Sequence, residues 1–227
     1  MSFFDGKGIR NLILINPDNP TGNYIPRSDM LRLAEWSYKK NVRLIVDESF
    51  VDFADEKSTL IDQELLDSNH NLFVMKSISK SYGVPGLRLG VLASGDTRMI
   101  ARMKKDVAIW NINSFAEFYL QIAEKYQSSY EESLERLRKE RSRRQKELNG
   151  INGIRVIPSQ ANFIMVELES SVSPKTLLKK LLIKYNILVK ELTTKTNGRN
   201  YLRLAIRNTK DNDMLIDALK AELGYKE

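Results

Sequence analysis

Five side chains in this sequence have the types and order needed to grip one small, ring-shaped cofactor. Asn19 lies in Asn16-Pro17-Asp18-Asn19-Pro20-Thr21-Gly22, and Asp47 opens Asp47-Glu48-Ser49-Phe50. Ser77, Lys80 and Arg88 fall within Ser77-Ile78-Ser79-Lys80-Ser81-Tyr82-Gly83-Val84-Pro85-Gly86-Leu87-Arg88-Leu89-Gly90. A lysine amine can form a Schiff base with an aldehyde, and a carboxylate can keep a pyridine nitrogen protonated so that the ring accepts electrons. An asparagine amide can donate to a phenolic oxygen, while an arginine fork and a serine hydroxyl suit a phosphate. Pyridoxal phosphate presents those handles together. On that reading Lys80 bonds the aldehyde, Asp47 meets the ring nitrogen, Asn19 the phenolic oxygen, and Arg88 with Ser77 the phosphate. Once released as a free amine, Lys80 could carry the proton between the substrate's α-carbon and the cofactor. Taken singly, each residue has a plainer use: a turn, a strand-end cap, a surface lysine. Their joint spacing of 28 residues from Asn19 to Asp47, 33 to Lys80 and eight to Arg88 is what groups them.

The elements that would position them alternate. Apolar runs at 11–15, 42–46, 72–75 and 89–93 read as strands. Between them come a helix from a Ser28 cap to Lys40, stopped by Asn41, a helix around 60–66, and another beginning at Asp96. That order predicts an α/β sheet with ligands beyond the carboxyl ends of its strands, and Asn19, Asp47 and Lys80 each follow such an end. The middle is helical: a stretch at 113–126, a break near 127–129, and a second helix to about 148, opened by the capping box Ser129-Tyr130-Glu131-Glu132. The remainder predicts strands at 154–157, 163–168, 187–189 and 201–206, with helices from Ser173-Pro174 to Tyr185 and across 211–223. The expected organisation is therefore a first domain over 1–128, a connecting helix over 129–149, and a small α+β domain over 150–227.

Composition bounds the rest. With 227 residues and 42% apolar content the chain can bury a sizeable core. No run approaches the ~20 apolar residues of a membrane span, and the first ten residues lack the apolar centre of a signal peptide, so no membrane partner is expected. The absence of cysteine excludes disulfides and thiolate metal sites, and fits a cytoplasmic location. The single His70 cannot build a metal cluster, so no metal is expected. The formal charge of +7 gathers in residues 136–146, where bases alternate with acids; a solvated helix face accounts for it, and no nucleic-acid partner is expected.

The motifs quoted above resemble those of fold-type-I pyridoxal-phosphate enzymes, specifically class I/II aminotransferases. The branch most similar is that of the histidinol-phosphate aminotransferases and their threonine-phosphate decarboxylase relatives. The resemblance runs from about Asn11 to Leu223. Pro158-Ser159-Gln160-Ala161-Asn162-Phe163 is similar to that branch's lead into the small domain, and Ile187-Leu188-Val189-Lys190 to a later strand with Lys for Arg. Tyr201-Leu202-Arg203-Leu204-Ala205-Ile206-Arg207 matches the segment whose first arginine binds the substrate α-carboxylate, which assigns that role to Arg203. Arg207 suits a salt-bridged surface position equally well. Trp110 and Asn111 stand where the family approaches its substrate, although a core tryptophan is the commoner use of that residue. The fold implied is a partial large domain, a mainly parallel sheet with helices on both faces, followed by the small α+β domain.

Two departures qualify what the resemblance implies. Phe50 replaces a tyrosine whose phenol shares the cofactor's phenolic oxygen with Asn19, and its loss should raise the pKa of the Schiff base. The family also has well over a hundred residues ahead of the first motif, where this chain has fifteen. The expectation is a C-terminal portion of an enzyme, with an open strand edge that invites association and a weakened hold on phosphate. The implied activity is exchange of an amino group between an amino acid, phosphorylated or not, and a 2-oxo acid, in a homodimer. Decarboxylation of a phosphorylated amino acid is the first alternative, and a non-catalytic fragment or pseudoenzyme the second.

Overall fold

The computed structural model describes residues 2–4, 6–56, 59–169, 172–196 and 198–225. The chain divides into two compact units, one of Met1–Asp18 with Tyr24–Glu132, the other of Asn19–Asn23 with Ser133–Glu227.

The first unit carries β1 (Asn11–Ile15), α1 (Arg27–Lys39), β2 (Arg43–Asp47), α2 (Gln63–Ser68), β3 (Leu72–Ser77), α3 (Ile78–Ser81), β4 (Gly90–Ser94), α4 (Thr97–Asp106) and α5 (Ser114–Ala123). The sheet runs in the order β1-β2-β3-β4, the first three strands parallel and β4 antiparallel to β3. The fold is thus α/β with a mainly parallel sheet. One face carries an apolar cluster: Met30 and Ala34 of α1 and Leu66 of α2 pack with Leu44 and Val46 of β2 and Leu72 and Val74 of β3. Alternation sends the intervening side chains to the other face, where Phe73 is buried and Ile13, Ile15 and Met75 are exposed. Helix α1 begins at Arg27 behind Pro26, with no side-chain cap, so the cap position falls two residues ahead of the expected Ser28. Asn41 ends it in the left-handed region, φ 54°, as its residue type suggested.

The expected break before the long helix α6 (Gln127–Asn149) is only a 3₁₀ turn at Glu124–Tyr126. Ala123 and Gln127 both keep right-handed helical dihedrals, so Ser129 lies inside the helix and its capping box is not used. A cap needs an extended residue in front of the helix, and none is present there.

The second unit contains most of α6, then β5 (Ile154–Ile157), β6 (Phe163–Leu168), α7 (Pro174–Tyr185), β7 (Lys190–Glu191), β8 (Tyr201–Ala205) and α8 (Thr209–Leu223). Its antiparallel sheet has the order β5-β6-β8-β7. Leu148, Ile164, Val166, Leu177, Leu181, Leu202, Leu204 and Leu219 are all buried in one cluster. The strand expected at 187–189 is instead an extended run leaving α7 through Asn186, φ 58°, and only Lys190 and Glu191 pair with β8. Its apolar character reflects packing, since Ile187 and Val189 both join the core cluster.

The basic run on α6 is not wholly solvated either. Arg141 and Arg144 are completely buried. Arg141 donates to the Ala161 carbonyl and to Gln160, and Arg144 Nη1 to the Asn212 carbonyl at 3.1 Å. Arg143 pairs with Glu140, Glu147 and Asp213. Burial lowers the Arg144 pKa to about 10, and its Nε and Nη2 have no hydrogen-bond partner. A buried charge so incompletely matched adds little net stability. Arg144→Met, which keeps the volume, is expected to stay within about 1 kcal/mol of the parent in urea unfolding, whereas Arg144→Ala should lose about 2–4 kcal/mol to the cavity it leaves.

Glu222 ties α8 to α7. Its carboxylate receives Lys180 and Lys184, each at 2.8 Å, and the Tyr185 hydroxyl at 3.2 Å. The hydrogen bonds from Lys180 and then Lys184 hold its pKa down at about 2. A carboxyl whose folded pKa is depressed contributes stability above its unfolded pKa, near 4.3 for Glu, and loses it as pH falls through the folded value. The urea midpoints of the parent and of Glu222→Gln should therefore differ at pH 7 and converge between about pH 4.3 and pH 2.

Candidate functional site

The parallel pairing of β2 with β3 puts their carboxyl ends at one edge of the first sheet, with Asp47 in register with Met75. Asp47 is the last residue of β2, and its Oδ1 accepts the Ser49 N–H at 2.9 Å. Ser49 Oγ in turn accepts the N–H of Ser77, the last residue of β3, at 3.1 Å. The neighbouring acid faces the other way. Glu48 is 1% exposed, accepts from Thr59 Oγ and the Leu60 N–H, and burial raises its pKa. Strand alternation therefore separates two adjacent carboxylates into an inward anchor and one left at the edge.

Lys80 lies on α3, immediately past β3, with its side chain exposed. Its Nζ is 6.0 Å from the centroid of the Phe50 ring, and among the described residues it makes no salt bridge. Because β4 returns antiparallel, its start stands at the same edge: Gly90 pairs with Ser77, and Arg88 precedes Gly90 by two residues. Arg88 adopts the left-handed region at φ 57°, a conformation that costs a non-glycine residue about 1 kcal/mol or more and gathers at functional sites. Its Nη1 donates to the Pro85 carbonyl at 3.3 Å. Asp47, Ser77, Lys80 and Arg88 are thus brought to one edge of one sheet by topology.

Asn19 and Arg203 belong to the second unit and meet there. Arg203, on β8, donates from Nη1 to Asn19 Oδ1 at 2.8 Å, and its guanidinium lies 4.9 Å from the Phe163 ring centroid. The turn bearing Asn19 is held by Gly22, whose carbonyl accepts the Gln160 N–H at 2.9 Å. Gly22 has φ 76°, and a Cβ there would fall 2.0 Å from Ser159 Oγ, so the motif's glycine is needed for both backbone and space. The stem is pinned within the first unit by Asn16, whose side-chain amide exchanges two hydrogen bonds with the Ile25 backbone.

Other sequence expectations fall differently. Arg207 is engaged by Asp211 at 2.7 Å. Trp110 is 91% exposed, which excludes a core role within these residues. His70, in a turn, donates from Nδ1 to the Gly95 carbonyl oxygen at 2.7 Å. Among the described residues no cluster of His, Asp and Glu could hold a metal ion, and no helix is long and apolar enough to cross a membrane. Sequence reasoning missed Asp52, Lys76 and Ser81, whose polar atoms converge beside Lys80. Separations of 24 and 29 residues offered no local pattern by which to find them.

Residues 5–219 match the family described as aminotransferase class I and II. The chain is 34% identical over 225 residues to CMP-5'-(3-aminopropyl)phosphonate synthase of Streptomyces rubellomurinus, covering 98% of this chain and 36% of that protein. It is also 34% identical over 228 residues to L-serine phosphate decarboxylase of Sulfurospirillum multivorans, covering 97% of this chain and 57% of the relative. Among solved structures, the histidinol-phosphate aminotransferase of Clostridium acetobutylicum superposes with a TM-score of 0.86 at 30% identity, over 95% of this chain and 64% of that one. The chain thus spans between a third and two thirds of the length of these relatives.

Proposed function

Because the chain belongs to the aminotransferase class I and II family, we propose that it forms the catalytic part of a pyridoxal-phosphate enzyme acting on an amino acid. The observation that supports this most is the gathering of a carboxylate, a lysine, a serine hydroxyl and an arginine at one sheet edge, the donor set such a cofactor needs. Asp47 keeps one carboxylate oxygen beyond its bond to Ser49, and Lys80 has no carboxylate partner among the described residues, so both fit the group. When bound, pyridoxal phosphate supplies an aldehyde for the amine and a ring that takes up electrons from the substrate's α-carbon.

Each residue then has a physical task. Asp47 would keep a proton on the ring nitrogen, and the Arg88 fork with the Ser77 hydroxyl would orient the phosphate. Lys80 Nζ would hold the cofactor through its aldehyde carbon and, as a free amine, would move a proton at the substrate's α-carbon. Arg203 binds the α-carboxylate, and Asn19, already bonded to it, donates its amide to the phenolic oxygen. The Asn19–Arg203 bond orients the guanidinium before substrate arrives, which lowers the entropy lost on binding.

The leading reaction is transfer of the amino group to a 2-oxo acid, with a phosphorylated amino acid among the donors. Decarboxylation of a phosphorylated amino acid is the second reading, favoured by the similarity to L-serine phosphate decarboxylase. The same residues serve both, because the outcome depends on which α-carbon bond stands perpendicular to the ring. Incubation with phosphoserine or other amino acids and 2-oxoglutarate separates them: glutamate forms in the first case, and carbon dioxide without glutamate in the second. Neither product, together with no visible absorption from added cofactor, would favour a non-catalytic role. The same reading includes a homodimer, supported by Ile109, Trp110 and Phe115, which are 92%, 91% and 81% exposed on the first unit; sedimentation of the intact protein tests it.

Phe50 offers a graded test. It is 8% exposed, with its ring toward Lys80. In Phe50→Tyr the new hydroxyl can donate to the cofactor's phenolic oxygen and weaken that oxygen's hold on the shared proton. The pH midpoint of the visible band should fall by about one unit, a differential of about 1.4 kcal/mol. An unchanged midpoint in a titration of the two proteins would place position 50 away from the cofactor.

A further inference from the structure

The short turn that carries Lys80 is not self-supporting. Helix α3 has four residues, and its closing bonds are long: the Tyr82 N–H reaches the Ile78 carbonyl at 3.3 Å and the Gly83 N–H reaches the Lys80 carbonyl at 3.4 Å. A single turn fixes several dihedrals for one or two hydrogen bonds and is unfavourable alone. Gly83, in the left-handed region at φ 67°, and Gly86 follow directly, so the chain beyond is permissive too. Whatever orients the Lys80 side chain must therefore grip this turn from outside.

Asp52 does so. It lies on the 3₁₀ turn Val51–Phe53, five residues beyond Asp47. Its Oδ2 accepts the hydroxyl of Ser81, the residue next to Lys80, at 2.6 Å, and its Oδ1 receives Lys76 Nζ at 2.5 Å. The Asp52 and Lys76 side chains are only 16% and 17% exposed, so water competes poorly for this carboxylate. Lys76 is on β3, Ser81 ends α3, and Asp52 follows β2. One carboxylate thus links the segment bearing Asp47, the strand leading to Ser77 and the turn bearing Lys80. Tyr82 is held on the next side by a parallel stack with Tyr130, ring centroids 4.0 Å apart and planes within 6°.

We propose that Asp52 is a positioning residue that, by clamping Ser81 and Lys76 together, sets the direction of the Lys80 amine toward the cofactor aldehyde. This rests on the reading above that Lys80 bonds the cofactor. The clamp acts on approach geometry, where a displacement of about 1 Å can change a rate by about 10²-fold. It leaves the core of the first unit untouched, since neither Ser81 nor Asp52 belongs to the apolar cluster.

The test uses the intact natural protein, Ser81→Ala, which removes one bond and leaves the Asp52–Lys76 pair, and Asp52→Asn, which removes the charge. Each is mixed with pyridoxal phosphate, and the rate of appearance of the visible band is followed alongside hydrogen exchange of the amides at 78–83 in the absence of cofactor. The expected result is band formation slowed by about 10-fold or more, faster exchange confined to 78–83, and a urea midpoint for Ser81→Ala close to the parent's. Band formation at the parent rate in Ser81→Ala, or unchanged exchange in both variants, would overturn the inference and leave the Lys80 reading standing. If borohydride traps no pyridoxyl group on Lys80 of the parent, the underlying reading fails, and the inference fails with it.

Discussion

Lys80→Ala protein mixed with pyridoxal phosphate is expected to develop no visible absorption band and to retain no cofactor after borohydride reduction and denaturation. The parent should do both, with the label on the peptide containing Lys80. Activity in whichever reaction the protein performs should fall by at least about 10³-fold, since the variant loses both the covalent hold on the cofactor and the base that moves the α-proton, and general acid–base catalysis alone contributes about 10²–10⁴-fold. The substitution should cost little stability, because the Lys80 side chain is exposed and makes no salt bridge among the described residues. A band of parental intensity in Lys80→Ala would show that another amine, or none, bonds the aldehyde. Added methylamine should restore part of the lost turnover if the missing amine is a base, and none if the loss comes from misfolding.

Arg203→Leu is expected to lower kcat/KM by about 10²-fold while leaving the visible band in place. The guanidinium can offer a substrate carboxylate two parallel N–H bonds, and net contributions to charged groups of about 1.5 kcal/mol each sum to about 3 kcal/mol, or two powers of ten. Arg203→Lys should recover only part of this, because an ammonium cannot reproduce the fork. A second effect follows from the 2.8 Å bond to Asn19. Without Arg203 the Asn19 side chain loses the partner that orients it, so the pH midpoint of the band should also shift. Arg207→Leu serves as the control: its guanidinium is engaged by Asp211, and the change should leave kcat/KM within about twofold. Equal losses for Arg203 and Arg207 in steady-state kinetics would sink the assignment of the carboxylate to Arg203.

Much of the local structure could be read from residue order. Asp96, Asn113 and Ser173 each cap a helix through the side chain where the sequence placed a start, whereas the helices expected around 60–66 and over 211–223 run instead from Gln63 to Ser68 and from Thr209 to Leu223. The predicted strand 163–168 and the helix ending at Tyr185 coincide with β6 and α7. Ile187 and Val189 are apolar because they join a core, Ser129 has the type but not the dihedral of a cap, and Arg141 and Arg144 look solvated yet find carbonyl acceptors far along the chain. At Ile187, Val189, Arg141 and Arg144 partners distant in sequence overrode the local preference, whereas at Ser129 the helix simply runs on from the preceding turn.

By itself the sequence determined which residues are chemically equipped: Lys80 as amine, Asp47 as carboxylate, Arg88 and Arg203 as guanidinium forks, Asn19 as amide, together with the family those motifs signal. Only the tertiary structure decided which of them share an edge, that Glu48 turns inward while Asp47 does not, that Arg203 is bonded to Asn19 while Arg207 is occupied by Asp211, and that Asp52 grips the turn beside Lys80. The physical reason is that side-chain chemistry is a property of one residue, whereas direction and partnership come from strand register and packing between segments far apart in the chain.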